Sequence, residues 1–367
     1  MTEKRFAHLH ELMKQHQLKT IILNPGPTLA YLTGLDFHLM ERPSMLIYTL
    51  DEPPLLILPE LEQGKLATSR ISLRSAAYKD DPSTWVDAYR QALAPLHLDQ
   101  ATIGVEPMRM RYLELNYIQQ AVPSAEFTSA SPVTSELRLL KEMDEISEMR
   151  RAVQIAQRSL LDILPLVKLG VNEKTIAAEL TIQLLRNGSD PELPFQPIVA
   201  GGPNSANPHL VPTGRPLQSG DLLVIDWGAR SNGYCADLTR TFAIGEIDSE
   251  LKAIYEAVKQ ANSAGRAASK PGATAGEVDL AARAVIEGAG YGAFFTHRTG
   301  HGLGLEDHEP PYIFNGNSLA LRPGMTYTVE PGIYLPGRGG VRIEDNLVIT
   351  HTGCETFSDL SRELMIL

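Results

Sequence analysis

The chain is 367 residues long, too long for one typical core and long enough for two domains. Its 43% hydrophobic and 21% charged content is that of an ordinary globular protein, and no apolar run approaches the ~20 residues of a membrane span. A net charge of −11 argues against nucleic acid or an anionic membrane as partner. The opening MTEKRFAHLHELMKQ is amphipathic without an uninterrupted apolar stretch, so it does not read as a secretory signal. Cys235 and Cys354 lie far apart and suggest no disulfide framework, which points to the cytoplasm.

Residues 1–130 alternate helical and strand patterns. A helix over Phe6–His16 leads to an apolar strand at Thr20–Leu23, the turn Asn24-Pro25-Gly26-Pro27, and a short helix towards Tyr31-Leu32-Thr33-Gly34. Strands are expected at Met45–Tyr48, Leu55–Leu58 and Thr102–Val105, and helices near Pro59–Ala67 and Met110–Gln120. This is an α/β domain. A boundary near Ser131-Pro132 opens the second domain, residues 131–367. There Leu139, Met143, Ile146, Met149, Val153, Ile155 and Leu160 predict one long amphipathic helix, followed by a helix over Asn172–Arg186 capped by Asn172. A strand at Pro197–Ala200 precedes the hairpin LLVIDWGARSNGYCADLTRTF. Helices over Ser249–Ala268 and Ala275–Glu287 precede a second hairpin, MTYTVEPGIY with GVRIEDNLVI.

The hairpins carry four carboxylates. With Asn232-Gly233 as the turn, residues whose numbers sum to 465 face each other, so Asp226 lies opposite Thr239. Asp237, with the same parity, becomes its diagonal neighbour at roughly 7 to 8 Å. Glu330 and Glu344 are equally distant from Gly337 in the second loop. Four converging carboxylates would repel one another and bind protons unless cations neutralised them; two divalent ions balance the charge. Oxygen ligands with one imidazole, His301, suit Mn²⁺, Fe²⁺, Co²⁺ or Zn²⁺. Any one acidic residue near a turn is ordinarily just solvated; five candidate ligands in these settings are not. Cys235 reads as a small packing residue, and Arg240, on the opposite strand face from Asp237, as structural.

The spacings 226 to 237 to 301 to 330 to 344, with the motifs DWGARSNGYCADLTRTF, HRTGHGLGLEDHE, VEPGIY and VRIEDN, resemble the pita-bread metallopeptidases (family M24), in particular their Xaa-Pro dipeptidase (prolidase) and Xaa-Pro aminopeptidase group. The resemblance spans essentially the whole chain. It implies an α/β two-domain architecture, with a creatinase/prolidase-like N-terminal domain and a C-terminal pita-bread α+β catalytic domain. It also implies two divalent ions, Mn²⁺ or Co²⁺ first and Zn²⁺ or Fe²⁺ next, held by Asp226, Asp237, His301, Glu330 and Glu344. Helix, helix and hairpin occurring twice is what such a pseudo-symmetric fold gives.

The same resemblance implies hydrolysis of an Xaa-Pro bond by a metal-bridging hydroxide. Glu330 would shuttle the proton, and His209, His308 and His297 would stand at the substrate and transition state. Thr239 and Arg342 would orient carboxylates. Substrates would be small peptides with proline second, and the enzyme a homodimer with neither nucleic acid nor membrane as partner. A dipeptidase must also grip the substrate's carboxylate, for which Arg42 and Tyr234 are the candidates, whereas an aminopeptidase leaves that side open. Relatives of this fold that are metal-free or non-enzymatic have an eroded ligand set; here all five positions are filled.

Overall fold

In a computed structural model describing residues 2–367, the apolar runs of the N-terminal region assemble into a mixed six-stranded sheet. Its strands are β1 Thr20–Leu23, β2 Met45–Thr49, β3 Leu55–Pro59, β4 Arg74–Tyr78, β5 Thr102–Val105 and β6 Glu126–Ser129, in the order β4-β3-β2-β1-β5-β6. Helices α1 Thr2–Gln15, α2 Pro27–Thr33, α3 Pro82–Leu93, α4 Tyr112–Ala121 and α5 Ser131–Leu139 accompany it. The predicted helix at Pro59–Ala67 is instead a 3₁₀ run, Glu60–Thr68, because ELEQGKLAT has no apolar stripe and buries no residue. The chain divides into two compact units at Arg138/Leu139, at the last residue of α5.

The long helix expected across this division is two helices. Helix α6, Met143–Ile163, starts afresh at Glu142, which exchanges reciprocal capping bonds with Glu145. Asn172 caps α7, Glu173–Arg186, by accepting from the Thr175 N–H. Strands β7 Ile198–Gly201, β8 Asp221–Trp227 and β11 Leu238–Ile244 form a sheet, and β9 Arg230–Ser231 and β10 Tyr234–Cys235 extend the β8/β11 hairpin to its tip. Helices α6 and α7 cover this sheet. Trp227 is fully buried beneath them and donates its indole N–H to the Ala156 carbonyl at 2.8 Å.

Helices α8 Ser249–Ala268 and α9 Ala275–Gly288 open the second half. There β12 Gly300–Gly302, β13 Glu309–Ile313, β14 Thr326–Val329, β17 Asp345–Ile349 and β18 Cys354–Thr356 share one sheet. The pair β15 Gly332–Leu335 and β16 Gly339–Arg342 forms the hairpin tip, packing Ile333 and Val341 with Leu251, Ile254 and Val258 of α8.

Both hairpins keep the register expected of them and are interrupted at the acidic residues. Thr239 pairs with Asp226, and Cys235 pairs with Arg230 nearer the tip, around a turn whose Asn232 and Gly233 have φ of 47° and 87°. Those positive angles are what a two-residue type I′ turn requires. The interruption falls at Gly228, where a Cβ would lie 2.2 Å from the Ala236 carbonyl. In the second hairpin Val329 pairs with Asp345 and Gly332 with Arg342, the same register on either side of Pro331, which has no N–H to donate. One antiparallel bridge, Thr239 with Glu344, joins the hairpins; the Glu344 N–H donates to the Thr239 carbonyl at 3.1 Å. Arg240 reinforces it by donating to the Glu344 carbonyl at 2.6 Å and the Asp345 carboxylate at 2.8 Å. Among the described residues no helix is long and apolar enough to cross a membrane.

Candidate metal centre

The interrupted ladders bring the four carboxylates together over His301, the central residue of β12. Ligand atoms of Asp226, Asp237 and Glu344 lie within 4.8 Å of one another, as do those of His301, Glu330 and Glu344, and those of Asp237, His301 and His308. Asp237 and Glu344 are therefore common to an all-carboxylate triad and a histidine-bearing one.

Each carboxylate is aimed by a neighbour. Asn346 replaces the missing strand partner of Asp237: its Oδ1 accepts from the Asp237 N–H at 3.0 Å and its amide donates to the Asp237 carbonyl. Thr239 Oγ1 donates to Glu344 Oε2 at 2.7 Å, and Arg342 Nη2 donates to Asp226 Oδ2 at 2.6 Å. What remains is informative. Asp226 Oδ1, Asp237 Oδ1 and Glu344 Oε1 are buried without any hydrogen-bond partner. An orphaned buried acceptor is costly, and three converging ones fit divalent cations.

The electrostatics agree. Burial, then the charges of Glu344 and Asp226, pushes the Asp237 carboxyl well above the usual range. Burial, then Glu330 and Asp226, does the same to Glu344. Burial raises Glu330 to about 7 against the opposing charge of Arg342. His301 is held neutral by burial. Its Nδ1 lies 3.2 Å from the Gly302 carbonyl and so carries the proton, which leaves the Nε2 lone pair facing Glu330 Oε1 at 3.3 Å and Asp237 Oδ2 at 3.6 Å. A lone pair facing carboxylate oxygens suits a cation, or a proton, between them.

The other histidines differ in what they can offer. His308 is exposed and stacks on His301 at 3.7 Å between ring centroids. Arg298 Nη2 lies 3.0 Å from His308 Nδ1; a guanidinium only donates, so the neutral His308 keeps its proton on Nε2. His209, on an exposed loop, acts electrostatically on both His297 and His308. His297 has both nitrogens engaged, Nδ1 with the Arg298 carbonyl at 2.7 Å and Nε2 with the Tyr334 hydroxyl at 2.9 Å. Burial brings it down to about 4, so it is neutral. Tyr334 in turn accepts from Arg342 Nη1 at 2.9 Å. In place of a direct substrate contact, the structure gives His297 a chain through Tyr334 to Arg342.

One further expectation changes. Tyr234, immediately after the turn, faces α6: its hydroxyl bonds Glu145 at 2.8 Å and its ring packs with Met149 and Leu303, so it presents no hydroxyl to a peptide carboxylate. Arg42 belongs to the first unit, where Nη1 bonds Asp80 at 3.1 Å and Glu41 at 3.2 Å. Cys235 is buried, and burial pushes its thiol up, away from thiolate chemistry. Arg298, Tyr334 and Asn346 are the additions that sequence reasoning missed. Arg298 and Tyr334 sit in or beside the motifs, but their partners come from strands that only folding brings near.

Metal-free protein follows a definite pH course. With Glu330 moved from 4.5 to about 7 and Asp237 and Glu344 raised as well, the folded state binds more protons than the unfolded chain across that window. Stability from these groups is therefore greatest at acid pH and falls as pH rises. Bound cations remove the penalty. The rise in Tm produced by Mn²⁺ over chelated protein is expected to be several degrees larger on the alkaline side of about 7 than on the acid side of 4.5, by scanning calorimetry. A rise that shrinks with pH contradicts the clustering of these carboxylates.

Comparison with known proteins bears on the same residues. The profile of the creatinase/prolidase N-terminal domain matches residues 5–140, and that of metallopeptidase family M24 matches residues 147–351. An Xaa-Pro dipeptidase of Lactobacillus helveticus is 35% identical over 344 residues, 93% of this chain and 92% of that one. A dipeptidase structure from Pyrococcus horikoshii OT3 superposes with a TM-score of 0.93 at 37% identity, covering 99% of this chain and 100% of that one. An X-Pro aminopeptidase structure from Thermotoga maritima MSB8 gives a TM-score of 0.85 at 29% identity, covering 100% and 99%. The family profile takes in every residue of the carboxylate cluster and more than half of the chain, which therefore belongs to metallopeptidase family M24.

Proposed function

We propose that this peptidase cleaves the Xaa-Pro bond of dipeptides, with two divalent ions, Mn²⁺ or Co²⁺, held by Asp226, Asp237, His301, Glu330 and Glu344. The two cysteines, neither in a disulfide, support a cytoplasmic enzyme. Such ions supply Lewis acidity and a hydrolytic water acidic near neutral pH. The chain's own residues do the rest. Glu330 has 15% of its side chain exposed, against 7% for Asp237 and 11% for Asp226, so it is the carboxylate best placed to meet solvent and substrate. It takes the water's proton and returns it to the leaving proline nitrogen, which cannot depart without one. His308, with its proton on Nε2, donates to the oxyanion that develops on the scissile carbonyl, and His209 approaches from the facing loop.

The observation that carries the dipeptide reading is Arg298. Its guanidinium stands beside His308 and 4.4 Å from the centroid of the Tyr312 ring, and it has no ion pair among the described residues. It is a cation at the site with no carboxylate in ion-pair contact, its charge reaching Glu330 only at longer range, and so a complement for a dipeptide's C-terminus. The names of the Lactobacillus and Pyrococcus relatives support the same reading.

Wild-type enzyme is expected to hydrolyse Ala-Pro far faster than Ala-Pro-Ala or Ala-Pro-amide. Losing a charge-assisted hydrogen bond costs about 1.5 to 3 kcal/mol, so Arg298→Ala is expected to lose ~10 to 150-fold more in kcat/KM for Ala-Pro than for Ala-Pro-Ala, any loss through its neighbour His308 being common to both substrates. Arg42→Ala is the companion variant: loss there and not in Arg298→Ala takes the carboxylate away from Arg298. The likeness to the Thermotoga enzyme supports a second reading, Xaa-Pro aminopeptidase, and a wild-type preference for the tripeptide selects it.

A further inference from the structure

The loop carrying His209 is fastened at both ends by a single buried carboxylate. Glu173, the first residue of α7, is 0% exposed. Its Oε1 accepts from the Gly201 N–H at 2.8 Å and Asn204 Nδ2 at 2.9 Å. Its Oε2 accepts from the Thr213 N–H at 2.9 Å and the Thr213 hydroxyl at 2.6 Å. Gly201 is where the chain leaves β7 and Thr213 is where it returns, so both feet of the loop stand on one side chain. Between them His209 is exposed, and its backbone N–H is held locally by Asn207 Oδ1 at 3.1 Å. Near its tip the loop meets the candidate centre through the Pro208 carbonyl, 3.4 Å from Arg342 Nη1.

The chemistry of this anchor is specific. An ionised carboxylate is acceptor-only, and here all of its partners are donors. Its charge lies in the first turn of a helix, where the dipole favours it. An amide at the same place would turn an NH₂ group towards the Gly201 or Thr213 donors and lose the side-chain bonds at one foot, leaving there only backbone contacts such as the Lys174 N–H to the Thr213 carbonyl at 3.1 Å. Burying a charge solely to tie a surface loop is expensive; fixing an exposed imidazole against a reacting carbonyl is a task that requires it.

We propose that Glu173 is a positioning residue for His209: it sets where the imidazole stands in the transition state and is not needed to hold the metals. The proposal rests on the reading of His209 as part of the reaction. Its test is a double-mutant cycle on metal-loaded, full-length enzyme, with whichever of Ala-Pro and Ala-Pro-Ala the wild type prefers. Glu173→Gln is expected to lower kcat by ~10 to 100-fold, the scale of a misplaced catalytic group. KM is expected to change little, and metal content by mass spectrometry to stay at the wild-type value. In the His209→Ala background the same substitution is expected to cost less than about twofold, because its effect passes through the missing ring. A full multiplicative loss in that background, with His209→Ala itself impaired, overturns the proposal alone. Unchanged activity in His209→Ala overturns the reading of His209 and the proposal with it. Should Glu173→Gln not fold, Thr213→Val removes one donor hydroxyl and enters the same cycle with the same criteria.

Discussion

Asp237→Asn is expected to hold fewer than one Mn²⁺ per chain under conditions that load wild type with two, and to lose more activity than His301→Ala. Asp237 belongs to both the all-carboxylate triad and a histidine-bearing one, whereas the all-carboxylate triad does without His301. An amide also turns a donor towards the space where Asp237 Oδ1 now lies without a partner. The loss should exceed the ~10 to 100-fold typical of removing an outer partner of a metal ligand. It is not a loss of fold, since Asn346 holds the backbone of residue 237 whatever its side chain. Metal-free Asp237→Asn is in fact expected to melt higher than metal-free wild type, because it deletes a charge opposed by burial and by Glu344, Asp226 and Glu330. Elemental analysis, turnover and calorimetry on the two variants check this. Two retained ions with near-wild-type turnover in Asp237→Asn would show the centre to be misassigned.

Glu330→Gln is expected to separate assembly from chemistry. The amide keeps an oxygen at this position, so metal content should stay near the wild-type value, but it has no proton to pass. A lost general acid–base contribution is worth roughly 10²-fold or more in kcat. KM should move little, since Glu330 Oε1 lies near Thr328 Oγ1 and His301 Nε2 and makes no contact that a bound peptide would replace. Steady-state kinetics over the pH profile decides the matter: an unchanged kcat throughout would take Glu330 out of the reaction.

Much of this centre was legible because local rules govern it. Asn232-Gly233 dictates a turn, the turn dictates the register, and the register places Asp226 opposite Thr239. Glu330 and Glu344 follow from the symmetry of their hairpin about Gly337. The helix that begins after Asn172 follows from that residue as its cap. Other features depend on distant partners. The amphipathic period runs unbroken from Leu139 to Leu160, and what divides it is Glu142, whose caps restart the helix, beside Lys141, whose ammonium is buried against Glu309 at 2.6 Å. Strand β4, RSAAY, is half exposed at a sheet edge and lacks the apolar run that marks its neighbours. Tyr234 was suggested by proximity in sequence to Asp237, but α6, almost ninety positions earlier, claims its hydroxyl. Arg298 reads as one more charge until β12 and β13 fold back and set it against His308.

The resumption of register beyond each interruption has a consequence for how such a chain can change in length. Trp227 with Leu238 and Arg230 with Cys235 belong to one ladder, as do Val329 with Asp345 and Gly332 with Arg342 in the other. One residue inserted or deleted on either arm would swing the carboxylate beyond it to the opposite face. The segments from Asp226 to Thr239 and from Glu330 to Glu344 are thus closed to single-residue indels. Surface turns whose residues pair with no strand carry no such parity and are free to lengthen.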